Sequence, residues 1–556
     1  MKMKNDRRKK VLIYLSLVLI LTSLWSFTGS RSERYFEIAK NLDIFATLFK
    51  EVNAYYVDEV NPNKLMRTGI EAMLKTLDPY TNYIPEDDIE DYRTLTTGQY
   101  GGIGAIIGTR NGKNLVIMPY EGFPAHSAGL KIGDQILEVN GVDVSSKQYT
   151  DISKLLKGQA NTDVKLVVKR YGIEEPMIIE LKRAKITIDN VPYHGMIEDD
   201  IAYIRLTDFT MGAGKEVRNA LSELKQQGAT RVILDLRGNP GGLLTEAVNV
   251  SNVFIPKGSE VVSTKGKVTD WNKTYRALDP AFDTDMPVVI LTSSTSASAS
   301  EIVSGVIQDY DRGVLVGQKT FGKGLVQATR PLTYNSQLKV TTAKYYTPSG
   351  RCIQAIDYSH RNADGSVGKV PDSLKVEFTT RNGRVVYDGG GVDPDILVDK
   401  SSYSNIAISL LRKNLLFDYA TEYAYSHESI KAAREFKLTD AEYTAFVNWL
   451  SDKDYDYTTK VEENLEELAK NAKNEKYFSE IESQINELRE DISHNKERDL
   501  QMHQEEIRNM LEQEIVSRYY LETGMVDASF DDDEDITAAI SILNNSEKYS
   551  ELLKGE

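Results

Sequence analysis

The sequence predicts a multidomain α+β protein, and three observations support this fold class. The chain has 556 residues, too many for a single domain of about 150 residues. Strand-like and helix-compatible stretches alternate in residues 172–400, as in a layered α/β core, and shorter glycine-rich β runs precede them. Residues 401–556 contain 17 Lys and Arg against 35 Asp and Glu, a net charge of −18 in a chain of net charge −16. The first 400 residues therefore carry only +2, and the acidity belongs to a separate C-terminal region.

The composition excludes several classes of protein. The single cysteine, Cys352, cannot form an internal disulfide, and the 6 histidines show no zinc-ligand spacing. We therefore expect neither a structural metal nor another cofactor. The nearly neutral first 400 residues contain no basic stripe of the kind that binds a duplex, so a nucleic-acid partner is not expected.

Residues 1–30 have the pattern of an export signal. Six basic residues precede an apolar run from Val11 to Phe27. This run lies near the lower limit for crossing a bilayer core of about 30 Å, and neither an Ala-x-Ala cleavage site nor a lipobox cysteine follows it. We therefore favour an uncleaved transmembrane anchor over a cleaved signal, with the basic flank in the cytoplasm and the rest of the chain outside.

The remaining domain boundaries follow from changes in pattern. Apolar residues recur at helical spacing in residues 31–96, for example Ile38, Leu42 and Phe45, which predicts a helical region. Residues 97–171 predict a small β-barrel, and residues 172–400 predict the α/β core. Residues 401–556 predict acidic helices that bury one face against the core or against a second subunit.

The acidic region also suggests two expectations about its role. Its run Asp531–Asp535 is typical of a solvated surface or a mobile loop, and the spacing does not match a calcium-binding EF-hand. Removal of residues 401–556 is expected to leave the chemistry of the core intact while changing oligomeric state or substrate access.

Two glycine- and serine-rich clusters in the core region are candidates for chemistry. The cluster Asp235–Gly242 follows a predicted strand, and its glycines can turn N–H groups toward a ligand, although a tight turn alone explains them. The cluster Ser293–Glu301 places Ser298 and Glu301 at capping-box spacing, which explains a helix start without chemistry. The small residues around Ser298 nevertheless allow a substrate backbone to approach. The positive end of the helix favours an alkoxide there.

The third cluster, Gly317–Gly324, nearly matches a phosphate-binding P-loop. Gly324 stands where the magnesium-binding hydroxyl residue is required, and a strand rather than a helix is predicted to follow, so nucleotide binding is rejected. Lys323 lies between two glycines that leave space around its amine. A desolvated lysine can lose its proton and act as a general base, although an exposed lysine on a turn is the simpler interpretation.

A Ser-His-Asp triad is the main alternative for the chemistry. No Gly-x-Ser-x-Gly motif surrounds any serine, and His194 and His360 lie in ordinary sequence contexts. A Ser-Lys dyad is therefore favoured.

With these residues identified, the chain closely resembles the C-terminal processing peptidases, also called tail-specific proteases. The matching motifs lie between about Asn41 and Val398, in a consistent order and spacing. They are Leu77–Thr81, Gly101–Gly104, Tyr203–Leu206, Asp235–Gly242, Ser296–Glu301, Thr320–Gly324, Tyr345–Arg351 and Gly391–Asp395. The resemblance implies a crotonase/ClpP-like α/β protease core with an inserted PDZ β-barrel.

The resemblance also implies roles for individual residues. The nucleophile corresponds to Ser298, the base to Lys323, and the glutamine that steadies the base to Gln327. The oxyanion donors correspond to the backbone N–H groups of Ala299 and of Gly241 or Gly242. Asp309 matches an acidic position with a supporting role.

The β-rich insert corresponds to the PDZ domain of the family. Its loop from Gly101 through Gly102, Ile103 and Gly104 to Ala105 is expected to take the carboxylate of a peptide, and the adjacent strand to pair with the peptide. An arginine that couples this domain to the active site in some relatives is Lys157 here. Lysine cannot make the same bidentate contact, so this coupling is uncertain in the chain.

The resulting hypothesis is an exported serine endopeptidase that captures protein C-termini and cleaves them through an acyl-enzyme. It is expected at the extracytoplasmic face of the cell envelope, such as the periplasm, anchored to the membrane or secreted, and as a homo-oligomer such as a dimer. The alternative is an inactive scaffold of the same fold that binds peptides or apolar ligands. The joint presence of Ser298, Lys323 and Gln327 argues against that alternative.

Overall fold

The computed structural model describes residues 33–362, 364–399, 402–492 and 496–554. The expected basic flank and anchor in residues 1–30 lie outside this range. Within the described residues, no helix has both the length and the apolar character needed to cross a membrane.

The chain divides into two compact units, Met1–Tyr83 and Ile84–Glu556. The first unit contains α1 (33–55) and α2 (Pro62–Lys75). The side chain of Asn61 accepts the N–H of Lys64 and caps α2, and Phe45 and Phe49 stack within α1. The helical character predicted for this part of the chain is therefore observed. A short strand, β1 (Asn82–Ile84), lies at the division point in the sequence.

The second unit contains a β-rich domain, a mixed core and a helical C-terminal region. The β-rich domain and the segments that flank it comprise α3 (Ile89–Thr97), β2 (Gln99–Gly102), β3 (Ala105–Arg110), β4 (Lys113–Pro119), α4 (Pro124–Ser127), β5 (Gln135–Val139), β6 (Val142–Asp143), α5 (Tyr149–Leu156), β7 (Asp163–Lys169), β8 (Met177–Lys182) and β9 (Ala184–Thr187).

The core continues with β10 (Tyr193–Glu198), β11 (Ile201–Arg205), α6 (Ala213–Gln226), β12 (Arg231–Asp235), α7 (Leu244–Phe254), β13 (Glu260–Gly266), β14 (Lys273–Arg276), β15 (Val288–Thr292), α8 (Ala299–Asp309), β16 (Val314–Gly317), β17 (Leu325–Pro331), β18 (Gln337–Tyr346), β19 (Ile356–Arg361), β20 (Val367–Lys369), β21 (Glu377–Thr379), β22 (Val385–Tyr387) and β23 (Ile396–Leu397). The C-terminal helices are α9 (Asn405–Arg412), α10 (Leu415–Ser426), α11 (Asp440–Trp449), α12 (Lys460–Asn474), α13 (Phe478–Ile492), α14 (Lys496–Met502), α15 (Gln504–Ser529), α16 (Glu534–Leu543) and α17 (Ser546–Lys554).

The β-rich domain is a sheet in the order β3-β4-β5-β7-β8, with β6 paired to β5. Strands β2 and β9 form a separate antiparallel ribbon where the chain enters and leaves the domain. Because β3 is an end strand of its sheet, one of its hydrogen-bonding edges is not paired within that sheet. Helix α5 packs beside this strand.

The core is built on a six-stranded sheet in the order β10-β11-β12-β15-β16-β23. Within this sheet, neighbouring strands are parallel along the order β11-β12-β15-β16-β23, whereas β10 is antiparallel to β11. Successive side chains of one strand point to opposite faces. Accordingly, Ala202 and Ile204 of β11 pack with α6, α7 and α8, whereas Ile201 and Tyr203 of the same strand belong to a second hydrophobic core on the other face.

The C-terminal region supplies the helices of this second core. Apolar residues from the end of α15, from α16 and from the intervening turn pack with the sheet: Val526, Phe530, Ile536, Ala539, Ile542 and Leu543. The acidic run is also bound to the protein. Asp533 and Asp535 each accept a hydrogen bond from Arg237 Nη1, at 2.8 and 2.9 Å, while Asp531 pairs with Arg434 and Asp532 with Lys437.

These contacts bear on two expectations about the C-terminal region. The run at residues 531–535 is not a mobile loop, because ion pairs hold Asp531, Asp532, Asp533 and Asp535. Asp531, Asp532 and Glu534 are nevertheless exposed, as expected of a solvated face. The packing also argues against the expectation that the chemistry of the core stays intact when residues 401–556 are removed. That removal would expose one whole apolar face of the central sheet to water.

The C-terminal helices also contact the β-rich domain. Phe417 of α10 packs with Leu115 and Ile132 of that domain. The guanidinium groups of Arg110 and Arg518 lie 4.1 and 4.3 Å from the centre of its ring. One region of the chain therefore packs against both the β-rich domain and the central sheet.

The packing of Phe530 predicts a large stability effect from the C-terminal region. Its ring is buried and lies edge-to-face with Tyr203, with 4.9 Å between ring centroids. We expect Phe530→Ala to lower the free energy of unfolding by about 3–5 kcal/mol, measured by urea denaturation. The control is Tyr477→Ala in the same region, where the ring is 57% exposed and the expected change is within about 0.5 kcal/mol. Equal small effects of both substitutions would contradict the packing.

Candidate active site

Ser298 occupies the turn between β15 and α8, immediately before the first helical residue. Its backbone has φ 57° and ψ −110°, a sparsely populated conformation for a residue with a side chain. A strained strand-to-helix turn of this kind exposes a nucleophile at the end of a parallel strand.

The other serines of this cluster have structural roles. Ser296 is fully buried, and its Oγ donates to the carbonyl of Leu236 at 2.7 Å. The Oγ of Ser300 donates to the carbonyl of Asn239 at 3.0 Å. Both bonds attach the serine turn to the segment Asp235–Gly242, which explains why the cluster contains more serines than one nucleophile requires.

Gly241 lies directly against the nucleophile. A Cβ at this position would be 2.8 Å from Ser298 Cβ and 2.6 Å from the carbonyl oxygen of Ala297. Its φ of 94° also favours glycine. The segment Asp235–Gly242 can therefore approach Ser298 only because residue 241 has no side chain.

The two glycine N–H groups differ in their bonding. The Gly241 N–H donates to Asn239 Oδ1 at 2.8 Å, so the Gly242 N–H is the better candidate for an oxyanion. The Ala299 N–H belongs to the first residue of α8, where an N–H has no partner inside the helix. This part of the chain can present two backbone donors beside Ser298.

Lys323 lies in the loop between β16 and β17. The glycines on either side of it were expected to leave space around its amine. In the structure they instead allow the backbone to pack closely against neighbouring residues. A Cβ at residue 322 would lie 2.3 Å from Ala355 Cβ, and one at residue 324 would lie 2.8 Å from the Gln354 nitrogen. These contacts fix the path of the loop on both sides of the lysine.

A buried carboxylate joins the serine turn to the lysine loop. Oε2 of Glu301 accepts the backbone N–H of Ser298 at 2.8 Å and that of Lys323 at 2.9 Å. Its Oε1 accepts the Gly322 N–H and the Thr320 hydroxyl at 2.7 and 2.6 Å. Burial raises the pKa of Glu301, and the four donors oppose this shift. The capping box expected from the sequence is therefore also a bridge between two loops.

Tyr345 bridges the same two loops through their carbonyl groups. Its hydroxyl lies 2.7 Å from the Lys323 oxygen and 3.1 Å from the Ser298 oxygen. The side chain is buried, at 1% exposure. The backbones of Ser298 and Lys323 are thus linked on one side by Glu301 and on the other by Tyr345.

The structure brings most predicted site residues to one pocket of about 320 Å³. Those lining it are Gly241, Gly242, Ser298, Ala299, Lys323 and Gln327. The amide nitrogen of Gln327 donates to the Leu325 carbonyl and to Thr341 Oγ1, both at 3.3 Å. The role of Gln327 as a partner of the base stays a prediction.

Asp309 lies outside this pocket, at the end of α8. Its carboxylate is 2.8 Å from Arg351 Nη2, and both side chains are 1% exposed. It also accepts the Ser349 N–H at 2.9 Å. The contacts of Asp309 therefore hold the segment Tyr345–Arg351, which begins with the bridging tyrosine.

The expected carboxylate loop of the β-rich domain is shorter than the sequence suggested. Gly101 and Gly102 belong to β2 and pair with Lys185 and Ala184 of β9, which leaves Ile103 and Gly104 as the turn into β3. Lys157 forms an exposed ion pair with Asp91 of α3, 2.6 Å between Nζ and Oδ1. Such exposed pairs contribute little to stability.

Sequence reasoning missed three features of the site. The second role of Glu301 was hidden because the Ser-x-x-Glu spacing already had a sufficient explanation. The bridging hydroxyl of Tyr345 and the ion pairs of Arg237 depend on contacts between distant segments, which no local pattern reports.

Among the described residues, no group of three or more His, Cys, Asp or Glu is arranged to hold a metal ion.

Comparison with known proteins gives the family of the chain. Residues 200–360 match Peptidase family S41, residues 118–170 match a PDZ domain, and residues 406–543 match the C-terminal helical domain of probable PDZ-proteases. A carboxy-terminal-processing protease of Bartonella bacilliformis is 34% identical over 348 residues, 62% of this chain and 79% of that protein. The chain belongs to the C-terminal processing peptidases of family S41. It is a serine protease with a PDZ domain.

Another relative and two solved structures are also similar to the peptidase. A probable CtpA-like serine protease of Staphylococcus aureus is 37% identical over 316 residues, 56% of this chain and 62% of that protein. Among solved structures, the photosystem II D1 C-terminal processing protease has a TM-score of 0.34 at 27% identity, covering 64% of this chain and 92% of its own. The PDZ domain of the Vibrio cholerae carboxy-terminal protease in complex with peptide has 30% identity and a TM-score of 0.16, covering 16% of this chain and 99% of its own.

Proposed function

We propose that the peptidase cleaves protein tails through a Ser-Lys acyl-enzyme mechanism. The observation that carries this proposal is the double bridge made by Glu301 and Tyr345, which links the backbones of Ser298 and Lys323 beside one pocket. A purely structural pair of loops would not require a nucleophile in a strained turn and an amine at the same pocket.

In the first step Ser298 Oγ attacks the scissile carbonyl carbon, and its proton passes to the neutral amine of Lys323. The negative oxygen of the tetrahedral intermediate accepts the N–H groups of Ala299 and Gly242. The carbon–nitrogen bond then breaks, and the Lys323 ammonium returns the proton to the leaving amine. Lys323 next takes a proton from the water that attacks the ester carbonyl. The ester carbon–oxygen bond then breaks, and the Lys323 ammonium returns the proton to Ser298 Oγ.

The PDZ domain supplies the proposed capture of substrate. In the described residues, strand β3 is an end strand of its sheet and lies beside α5, a geometry that accepts a peptide as an additional strand. The turn at Ile103 and Gly104 lies at the start of β3 and is the proposed site for the terminal carboxylate. Ile106, 43% exposed on β3, is available to contact a peptide side chain.

The location and assembly expected from the sequence remain proposals. The basic flank and apolar run of residues 1–30 support an anchor with the catalytic part on the extracytoplasmic side. A homodimer is the proposed oligomer, and it requires a surface other than the helix faces of α16 that already cover the central sheet.

Substitution of either dyad residue tests the mechanism. We expect Ser298→Ala to abolish acyl-enzyme formation, and Lys323→Ala to lower kcat roughly 10²–10⁴-fold through loss of the general base. The measurement is turnover of an unfolded protein, followed by gel and mass spectrometry, with circular dichroism to verify folding.

Lys319→Ala is the matched control for the lysine. Lys319 lies in the same loop but pairs with Asp393, 2.9 Å between Nζ and Oδ1, outside the pocket. The activity of the Lys319→Ala enzyme should remain within about twofold of wild type, because an exposed ion pair contributes about 1 kcal/mol or less. Full turnover by folded Ser298→Ala or Lys323→Ala protein would rule out the dyad.

A further inference from the structure

The acidic run of the C-terminal region is attached to the segment that carries the proposed oxyanion donor. Arg237 is the contact point, because it follows β12 and lies five residues before Gly242. Its Nη1 donates to Asp533 and Asp535, whereas its Nη2 donates to Asp235 at 2.7 Å. The guanidinium is therefore held between its own strand and the start of α16.

The ion pairs between Arg237 and the carboxylates of Asp235, Asp533 and Asp535 are stronger than a surface ion pair because of their environment. The side chains of Arg237, Asp533 and Asp535 are each 20% exposed, and that of Asp235 is 5% exposed. Asp235 also accepts the Tyr203 hydroxyl at 2.6 Å. Charges this far from water interact strongly because screening is weak. The nearby carboxylates hold the pKa of Arg237 well above its usual value despite its burial.

Other contacts also hold the segment between Arg237 and Gly242, including the Asn239 carbonyl, which accepts the Ala297 N–H and the Ser300 hydroxyl, both at 3.0 Å. The Gly238 N–H donates to Ser293 Oγ at 3.1 Å, and Asn239 donates to the Leu206 carbonyl at 2.8 Å. Arg237 holds the end of this segment that leaves β12, so we expect movement at Arg237 to shift the glycine N–H groups relative to Ser298. A displacement of about 1 Å is sufficient to weaken an oxyanion contact substantially.

We propose that Asp533 and Asp535 are positioning residues that hold the oxyanion site in place through Arg237. The C-terminal region then contributes to catalysis as well as to the core of the fold. This inference rests on the proposed Ser-Lys mechanism, in which the Gly242 N–H binds the negative oxygen.

The test replaces both carboxylates with amides of the same shape. In Asp533→Asn/Asp535→Asn, Arg237 keeps one carboxylate partner in Asp235, and asparagine retains the helix cap at residue 533. We expect kcat to fall roughly 10- to 100-fold with KM nearly unchanged. The Asp535→Glu variant, which keeps the charge, should retain more activity than Asp535→Asn.

The matched control is Asp531→Asn/Asp532→Asn in the same acidic run. It removes the same charge, but its partners Arg434 and Lys437 belong to the C-terminal region, so kcat should be unchanged.

A second readout compares inhibition by a peptide aldehyde with inhibition by the matching peptide alcohol. The aldehyde forms an adduct with Ser298 that places a negative oxygen at the oxyanion site. The inference predicts weaker aldehyde inhibition and unchanged alcohol binding in Asp533→Asn/Asp535→Asn. Wild-type kcat and aldehyde inhibition in that variant would overturn it, whereas an aldehyde that fails on the wild-type protein would instead contradict the Ser-Lys mechanism.

A different observation concerns the charge of the catalytic pocket. Lys323 and Lys339 are its charged lining residues, and no Asp or Glu lines it among the described residues. Lys339 is half-buried, and within the described part of the chain no acidic side chain pairs with it. Burial lowers the pKa of its amine. A cation in this position loses water without gaining a partner.

The strand geometry shows which side of the pocket Lys339 occupies. Lys339 and Tyr345, which bridges the two loops, both line the pocket, and Thr341, two residues from Lys339 on β18, contacts Gln327 of the same pocket. Lys339 is six residues from Tyr345, about 20 Å along an extended strand. It therefore lies toward the end of the pocket remote from Ser298.

We infer that Lys339 binds a carboxylate of the substrate several residues from the scissile bond. This second inference also rests on the proposed function. The carboxylate can belong to an acidic side chain or to the C-terminus of the substrate, since both have the same charge and hydrogen-bonding geometry.

The test uses quenched fluorescent peptides with Asp or Asn at each position around the cleavage site, with a free or amidated C-terminus. We expect wild-type kcat/KM to favour the carboxylate roughly tenfold at one position, mainly through KM. Lys339→Met should lose this preference, and Lys339→Glu should favour Lys there. Lys344→Met is the control and should keep the preference, because Lys344 is an exposed residue of β18 that does not line the pocket.

Preference only for the free C-terminus identifies the terminal group, and preference for Asp identifies a side chain. Unchanged selectivity in Lys339→Met overturns the inference. A shift in the pH dependence of kcat without a change in selectivity also overturns it, because Lys339 would then act on the base rather than on the substrate.

Discussion

The arrangement of the site depends on one buried carboxylate, Glu301. Four groups from two separate segments donate to it, and two of them are the backbone N–H groups of Ser298 and Lys323. A buried carboxylate needs such donors, because burial without hydrogen bonds is strongly unfavourable. The same requirement that satisfies Glu301 therefore fixes the distance between the serine turn and the lysine loop.

The layers of the core explain how this geometry is supported. One face of the central sheet packs with α6, α7 and α8, and α8 begins at the nucleophile. The other face is covered by helices of the C-terminal region, which also pair with Arg237 beside the glycine segment. Residues more than two hundred positions from Ser298 in the sequence thus complete the packing of the catalytic core.

The sequence predicted those features that local patterns encode. The alternation of strands and helices predicted the α/β core, the glycine and serine clusters gave Ser298 and Lys323 as candidates, and the family resemblance then implied their roles. The roles of Tyr345 and of Asp533 were not predictable, because each depends on a hydrogen bond between segments distant in sequence. The ion pairs of residues 531–535 were not predicted for a related reason, since a sequence of acidic residues does not reveal that Arg237, Arg434 and Lys437 lie opposite it.

The most direct measurement of the central claim is steady-state kinetics of the Glu301→Gln variant. The amide keeps the shape of the side chain but turns one acceptor into a donor that faces two other donors. The account predicts a fall in kcat of roughly 10- to 100-fold, from the loss of hydrogen bonds to a charged group worth about 1.5–3 kcal/mol, with KM for an unfolded protein substrate nearly unchanged. A folded Glu301→Gln enzyme with wild-type kcat would contradict the claim that this carboxylate positions Ser298 and Lys323.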